Sequence, residues 1–174
     1  IGALIGLSRW QDEVVALAAH LEYLFKHCWQ AQITVSLPRL RPAAGGFRPL
    51  FSMSDRELAQ LVCALRITFP QVGIVLSTRE RASLRDALLS LGVTMMSAGS
   101  HTEPGGYTRQ GSQHLHRTVR GRIVAPDFQD GEDQLATGQF EISDERSPAE
   151  IAAVLCRRGL EPVWKDWDQA LCGA

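Results

Sequence analysis

The chain has 174 residues and is 45% hydrophobic, enough for one buried core and short for two. With 18 basic and 19 acidic residues and a net charge of −1, it has no global field that would draw it to a nucleic acid or an anionic membrane surface. No apolar run approaches the ~20 residues needed to cross a bilayer, and the opening IGALIGLSRW has neither the basic n-region nor the cleavage site of a secretory leader.

The first apolar run, ALIGL (3–7), reads as a strand buried on both faces. The chain starts directly inside it, with no cap or lead-in, which is the expected appearance of the second half of a longer domain. SRWQDEVVALAAHLEYLFKH follows, with Ser8 and Gln11 at capping-box spacing and Val14, Leu17, Ala18, Leu21, Leu24 and Phe25 along one helical stripe. A second strand, ITVSL (33–37), runs into PRLRP. Ser54 and Glu57 then open a helix that Pro70 closes, and GIVLS (73–77) is the third strand. SLRDALLSLG is a helix ending on Gly92, and VTMMS (93–97) is the fourth strand. Residues 108–138 have no stable period, with a basic half before an acidic half, and read as a long variable surface loop. Ser147, Pro148 and Glu150 carry the start signals of a last helix, and Gly159 its stop.

Strands alternating with helices imply parallel βα units joined by right-handed crossovers. The strand starts lie 30, 40 and 20 residues apart, close to the spacing of a (β/α)8 barrel, which takes about 250 residues and eight such units. Four parallel strands with helices (1–107), the loop (108–138) and a C-terminal helical extension (139–174) make an α/β chain equal to half such a barrel. The competing architecture is a self-contained doubly wound sheet.

Ligands of parallel α/β folds bind where strands end and loops begin. Here the ends are GLSRW, LPRLRP, LSTRE and SAGS, the last followed by HTEPGGY. Arg39 and Arg41 flank Leu40 and point the same way in extended chain, stiffened by Pro38 and Pro42. Their forks match a carboxylate; the plainer role is a salt bridge to a neighbouring helix. Arg79 follows Ser77 and Thr78 at the next strand end, where the plainer reading is a helix cap by Ser77 or Thr78 and an Arg79–Glu80 pair. Ser97 and Ser100 bracket Ala98 and Gly99, small residues that let a ligand reach backbone N–H groups, and Gly105–Gly106 serves such a rim or a simple turn.

The four cysteines, Cys28, Cys63, Cys156 and Cys172, are widely spaced, which argues against a metal or iron–sulfur site within the chain. Cys63 and Cys156 fall on apolar helix faces as core thiols, in keeping with a reducing, cytoplasmic setting. His114 and His116 have a ligand-like spacing but no carboxylate or Cys partner nearby. In EPVWKDWD, Trp164 and Trp167 share a face suited to packing, with Lys165 and Asp166 as charged neighbours.

Taken in order, IGALIGLSRW, SLPRLRPAAGGF, LSTRERASLRD, SAGSHTEPGGY, QFEISDERSP and GLEPVWKDWD resemble the C-terminal half of the 2-iminoacetate synthases, the tyrosine lyases of thiamin thiazole biosynthesis in the radical S-adenosylmethionine superfamily. The likeness covers nearly all the chain outside 108–136. It implies a (β/α)8 barrel whose missing N-terminal half carries the C-x3-C-x2-C ligands of a [4Fe–4S] cluster. It also implies S-adenosylmethionine as cofactor and scission of the L-tyrosine Cα–Cβ bond to 2-iminoacetate and p-cresol. An electron donor of flavodoxin or ferredoxin type and the thiazole synthase ThiG are the implied partners.

Carried over residue by residue, the resemblance sets Gly2, Ile5 and Gly6 at a glycine motif beside the cofactor's adenine, without that motif's terminal acid. Arg39 and Arg41 fall near the cofactor's ribose or methionyl part, and Ser77, Arg79 and Ser97 at the grip on the amino-acid carboxylate. No catalytic residue is expected in this half, which alone should not turn over tyrosine. The tyrosine lyase of hydrogenase maturation is the sibling reading, but its second C-terminal cysteine cluster has no counterpart in WDQALCGA. From another class, a non-catalytic α/β domain binding an anionic metabolite fits the same rim.

Overall fold

A strand with helices on one face alternates between buried and less buried side chains, and residues 33–40 do so. Ile33, Val35, Leu37 and Arg39 are buried, whereas Thr34, Ser36, Pro38 and Leu40 are half-buried. From 73 to 80 the alternation repeats: Ile74, Leu76, Thr78 and Glu80 are buried, and Gly73, Val75, Ser77 and Arg79 half-buried.

The computed structural model describes residues 1–40, 49–101, 117–124 and 142–164. The two alternating stretches contain β1 (Thr34–Ser36) and β2 (Gly73–Leu76), and β3 (Met95–Met96) completes a parallel sheet in the order β1–β2–β3. Its register pairs Val35 with Ile74 and Val75 with Met95. On the free edge of β1 the N-terminal segment adds a fourth position, with Gly2 bridging Ser36 and Ile5 bridging Arg39, both parallel. The strand expected over 3–7 is thus two bridges rather than a continuous ladder. Spatial order follows chain order throughout. A doubly wound sheet reverses its order at a switch point, and no reversal occurs among the described residues. The sheet is an arc of a barrel.

The covering helices are α1 (Trp10–His27), α2 (Asp55–Thr68) and α3 (Ala82–Leu88), which a 3-10 turn (Leu89–Leu91) extends. The last helix is α4 (Pro148–Arg157). The boxes Ser54–Glu57 and Ser147–Glu150 both close as the sequence predicts, each serine accepting from the glutamate N–H at 3.3 Å. Ser8 does not cap α1: Arg9 is the N-cap, and the Ser8 hydroxyl donates instead to Glu13 Oε1 at 2.6 Å. Gly92 (φ 108°) and Gly159 (φ 73°) end their helices in the left-handed region open to glycine.

Leu17 and Leu21 of α1, Leu58, Leu61, Val62 and Leu65 of α2, and Leu84 and Leu88 of α3 pack on Ile5, Val35, Leu37, Ile74 and Leu76. This core lies on one side of the sheet. Across the sheet, Ser36, Val75 and Ser77 are only half-buried and Met95 is 37% exposed.

Three expectations need correction. Within 108–138, β4 (Arg117–Val119) and β5 (Arg122–Val124) form an antiparallel hairpin. Its two-residue turn, Arg120–Gly121 with φ 49° and 76°, is of the type I′ kind, and Arg-Gly is a weaker sequence signal for it than Asn-Gly. Cys156 is exposed and Cys63 half-buried, so neither is a fully enclosed core thiol. Trp164, expected to pack, is 66% exposed. Lys165, Asp166, Trp167, Cys172, His114, His116 and the Gly105–Gly106 pair lie outside the described residues.

The α4 cap is testable in isolation: Ser147→Ala should lower unfolding free energy by about 1 kcal/mol, read as a reduced urea midpoint at unchanged slope.

Candidate functional site

Strand parity decides which side chains at the strand ends face helices and which face the barrel interior. Arg39 follows Leu37 by two residues and so lies on the helix side, its side chain 9% exposed. Arg39 Nε donates to Glu80 Oε1 at 2.9 Å, Nη1 to the Met53 carbonyl at 2.8 Å and Nη2 to Asp55 Oδ1 at 2.8 Å. A fourth bond runs from Nη2 to Glu80 Oε2, so the fork grips that carboxylate through two nitrogens. Asp55 also accepts from Arg81 Nη2 at 2.6 Å. Burial opposes the charge on Arg39, but the bonds to Glu80 and Asp55 outweigh it and raise its pKa above the ordinary arginine value. This network joins the end of β1, the start of α2 and the end of β2.

A second network ties β2 and β3 to the segment before α4. The Thr78 carbonyl accepts from the N–H groups of Ser143 (3.0 Å) and Asp144 (3.1 Å), and Gly99 N–H donates to the Arg146 carbonyl at 3.3 Å. Asp144 is 2% exposed and Arg85 fully buried. Arg85 Nη1 donates to Asp144, and its Nη2 to the Ser97 carbonyl. Arg146 binds Asp144 through Nε at 2.8 Å and Nη2 at 2.6 Å, and reaches Asp86 Oδ1 at 2.9 Å. Burial pushes the Asp144 carboxyl up, yet the hydrogen bonds from Arg146 and then Arg85 hold it down at about 2, from 3.8. Burial lowers the pKa of Arg85, with Asp144 partly offsetting it; the bonds of Arg146 to Asp144 and Asp86 raise its own.

The interior side keeps the remaining candidates. Ser77 and Arg79 are half-buried and alternate with the buried Thr78 and Glu80, and Ser97 is half-buried at the end of β3. Burial lowers the pKa of Arg79, and the nearby charge of Glu80 raises it in part. Ser77 Oγ accepts from Arg79 N–H at 3.4 Å, while the N-cap of α3 is Arg81 without a side-chain cap bond. The capping role weighed for Ser77 or Thr78 is therefore absent, and Glu80 bonds to Arg39.

Ile5, Gly6 and Arg39 each have a place within the fold. Ile5 is 2% exposed, its N–H donates to the Pro38 carbonyl at 2.9 Å and its carbonyl accepts from Leu40 at 2.8 Å. Gly6 has φ 125°, and a Cβ there would meet Leu40 Cβ at 3.1 Å and the Phe51 carbonyl at 3.3 Å. Gly2 is exposed, although a Cβ would stand 2.8 Å from the Ser36 carbonyl, so close strand approach demands glycine. Arg41 lies outside the described residues. Sequence reasoning missed Arg85, Asp86, Asp144 and Arg146 as a cluster and Glu80 as the partner of Arg39. Parity was the available signal for Glu80, since it follows Leu76 by four residues.

A concave surface of about 440 Å³ is lined by Ala82, Ile142, Glu145, Arg146 and Glu150, among others, but by none of Ser77, Arg79 and Ser97. Among the described residues, no group of three or more His, Cys, Asp or Glu could hold a metal ion, and no helix is long and apolar enough to cross a membrane.

Residues 36–161 match the family model of the Biotin and Thiamin Synthesis associated domain. The chain belongs to that family. Both ion-pair networks of this Biotin and Thiamin Synthesis associated domain lie within the matched residues. The 2-iminoacetate synthase of Escherichia coli (strain K12) is 40% identical over 172 residues, 98% of this chain and 40% of that protein. That of Salmonella typhimurium (strain LT2) is 38% identical over the same coverage. Among solved structures, the FeFe-hydrogenase maturase HydG from Carboxydothermus hydrogenoformans is 39% identical with a TM-score of 0.67, over 92% of this chain and 31% of HydG. A further HydG structure gives a TM-score of 0.71 at 32% identity, over 91% of this chain and 30% of that one. The chain thus spans 40% of the length of the curated relatives it matches, and its sheet corresponds to the C-terminal part of such enzymes.

Removing one member of a buried pair leaves an uncompensated charge, so Arg39→Ala should cost about 3–5 kcal/mol, measured by denaturant unfolding. Asp144 is held below its unfolded value and stabilises the fold fully above 3.8, an advantage lost as pH falls through about 2. Acid titration of the unfolding free energy should show a loss of about 2 kcal/mol in that window that Asp144→Asn no longer shows.

Proposed function

We propose that this chain is the substrate-gripping part of a radical S-adenosylmethionine tyrosine lyase. The reaction cleaves the Cα–Cβ bond of L-tyrosine to 2-iminoacetate and p-cresol for thiamin thiazole biosynthesis. The observation that carries the reading is the 40% identity to the Escherichia coli 2-iminoacetate synthase across 98% of this chain. The half-buried trio Ser77, Arg79 and Ser97 at the strand ends supports it, because an amino acid presents a carboxylate that a guanidinium fork and two hydroxyls can hold.

Arg79 binds that carboxylate through its fork, and Ser77 and Ser97 orient it by hydrogen bonds. The half-buried setting of all three strengthens these bonds relative to water and keeps the reacting carbon in one pose. Gly2 lines the neighbouring strand position, where the lack of a side chain leaves backbone for the cofactor to pack on. Arg41 extends the same rim.

S-adenosylmethionine and a [4Fe–4S] cluster supply, when bound, the one-electron chemistry that opens the bond. The described residues do not fit the cluster: Cys28, Cys63 and Cys156 are free and belong to no ligand group. Its ligands therefore belong to sequence other than these residues. A flavodoxin- or ferredoxin-type protein is the electron donor, ThiG the consumer of 2-iminoacetate, and the cytoplasm the compartment in which a reduced cluster survives.

The likeness to HydG at 39% identity favours a second reading, the tyrosine lyase of hydrogenase maturation. Iron and sulfide analysis separates the two, because a second cluster per polypeptide belongs to that sibling alone.

The test is anaerobic incubation of the complete polypeptide carrying this chain with S-adenosylmethionine, reductant and L-tyrosine. Release of p-cresol is expected, and its absence in cluster-loaded protein defeats the reading. Arg79→Ala should raise the tyrosine KM about ten- to a hundredfold, the loss of one charged hydrogen-bond pair at about 1.5–3 kcal/mol. The S-adenosylmethionine KM should stay within about twofold; equal loss of both contradicts the assignment of Arg79.

A further inference from the structure

Half-buried Arg79 stands between two buried residues that are both tied down. Before it, the Thr78 carbonyl holds the N–H groups of Ser143 and Asp144 at 3.0 and 3.1 Å. After it, Glu80 is clamped by Arg39, with one bond at 2.9 Å. Arg79 itself is half-buried between these two anchored residues. The end of β3 is held by a different route with the same origin: Asp144 binds Arg85, and the other arm of Arg85 binds the carbonyl of Ser97. One residue therefore reaches both strand ends, through its backbone to Thr78 and through its carboxylate to Ser97.

We propose that Asp144 is a positioning residue for the substrate carboxylate, holding the ends of β2 and β3 so that Ser77, Arg79 and Ser97 converge. The inference rests on the tyrosine-lyase reading and adds to it a residue that touches neither substrate nor cofactor. The chemistry of the cluster explains the sensitivity. Arg85 is fully buried, and Asp144 supplies its carboxylate partner. A neutral side chain at 144 leaves a buried guanidinium that relaxes toward water and draws the Ser97 carbonyl with it. Gly2, the proposed cofactor position, sits beyond β1 from this cluster, so a cofactor bound there does not feel the shift.

Asp144→Asn in the complete polypeptide should raise the tyrosine KM on the order of tenfold and leave that of S-adenosylmethionine within about twofold. Asp144→Glu, which keeps the charge, should fall between the two proteins. A purely structural role lowers the yield of folded enzyme and moves both constants together, and that result overturns the proposal, as does no change in either. Arg146→Lys perturbs the same carboxylate from its more exposed side; should Asp144→Asn fail to fold, it is expected to raise the tyrosine KM about threefold, and an unchanged value refutes the idea. Amide hydrogen exchange at 77–79 and 97–99 gives a readout independent of turnover. Faster exchange in the variants supports the positioning role, and unaltered exchange counts against it even where wild-type protein releases no p-cresol, the outcome that would remove the tyrosine-lyase reading itself.

Discussion

The bond between Arg39 and Glu80 orders the strand ends around it. Arg39 continues the buried row of Val35 and Leu37, and Glu80, beyond the turn that follows β2, continues the alternation of burial from Ile74 and Leu76. Neither can remain charged there alone, because desolvation of an isolated ion costs far more than any packing returns. Together, with Asp55 and the Met53 carbonyl completing the shell, they extend the core by a polar layer. Such a pair contributes little net stability compared with apolar residues of the same shape. Its effect is directional: it ties the end of β1 to the segment that follows β2.

The Arg85–Asp144 cluster does the same one strand further on. Two anions and two cations, with Asp86 and Arg146 nearer solvent, close over the ends of β2 and β3. Each network spans adjacent strands and a helix start. The strand ends are thus tied together from the helix side by charge.

Local periodicity in the amino-acid sequence encodes the first of these networks. In ITVSLPR the branched residues Ile33, Val35 and Leu37 alternate with Thr34, Ser36 and Pro38, and extending the alternation by one step puts Arg39 with the apolar row. A ligand-facing Arg39 ignores that step, and the same parity in GIVLSTRE places Glu80 with Leu76. The helix boxes at Ser54 and Ser147, the glycine stops and the parallel arc are equally local and follow the spacing. The second network is not legible in this way. Arg85 and Asp144 are 59 residues apart, and only the return of the chain after the hairpin region brings them together. No local period encodes such a contact. The hairpin itself is hidden because its turn uses Arg120 at positive φ, where asparagine or glycine is the common signal.

The interior face carries the last step. Filled (β/α)8 barrels stack bulky branched side chains on their inner strands. Here the row opposite the helices mixes small or polar residues, Gly2, Thr34, Ser36, Gly73 and Ser77, with the apolar Leu4, Leu40, Val75 and Met95. Gly73 is constrained by its neighbour, since a Cβ would meet Thr34 Cγ2 at 2.8 Å, and Gly2 by the Ser36 carbonyl. These residues pack tightly against one another along the sheet while projecting little from it.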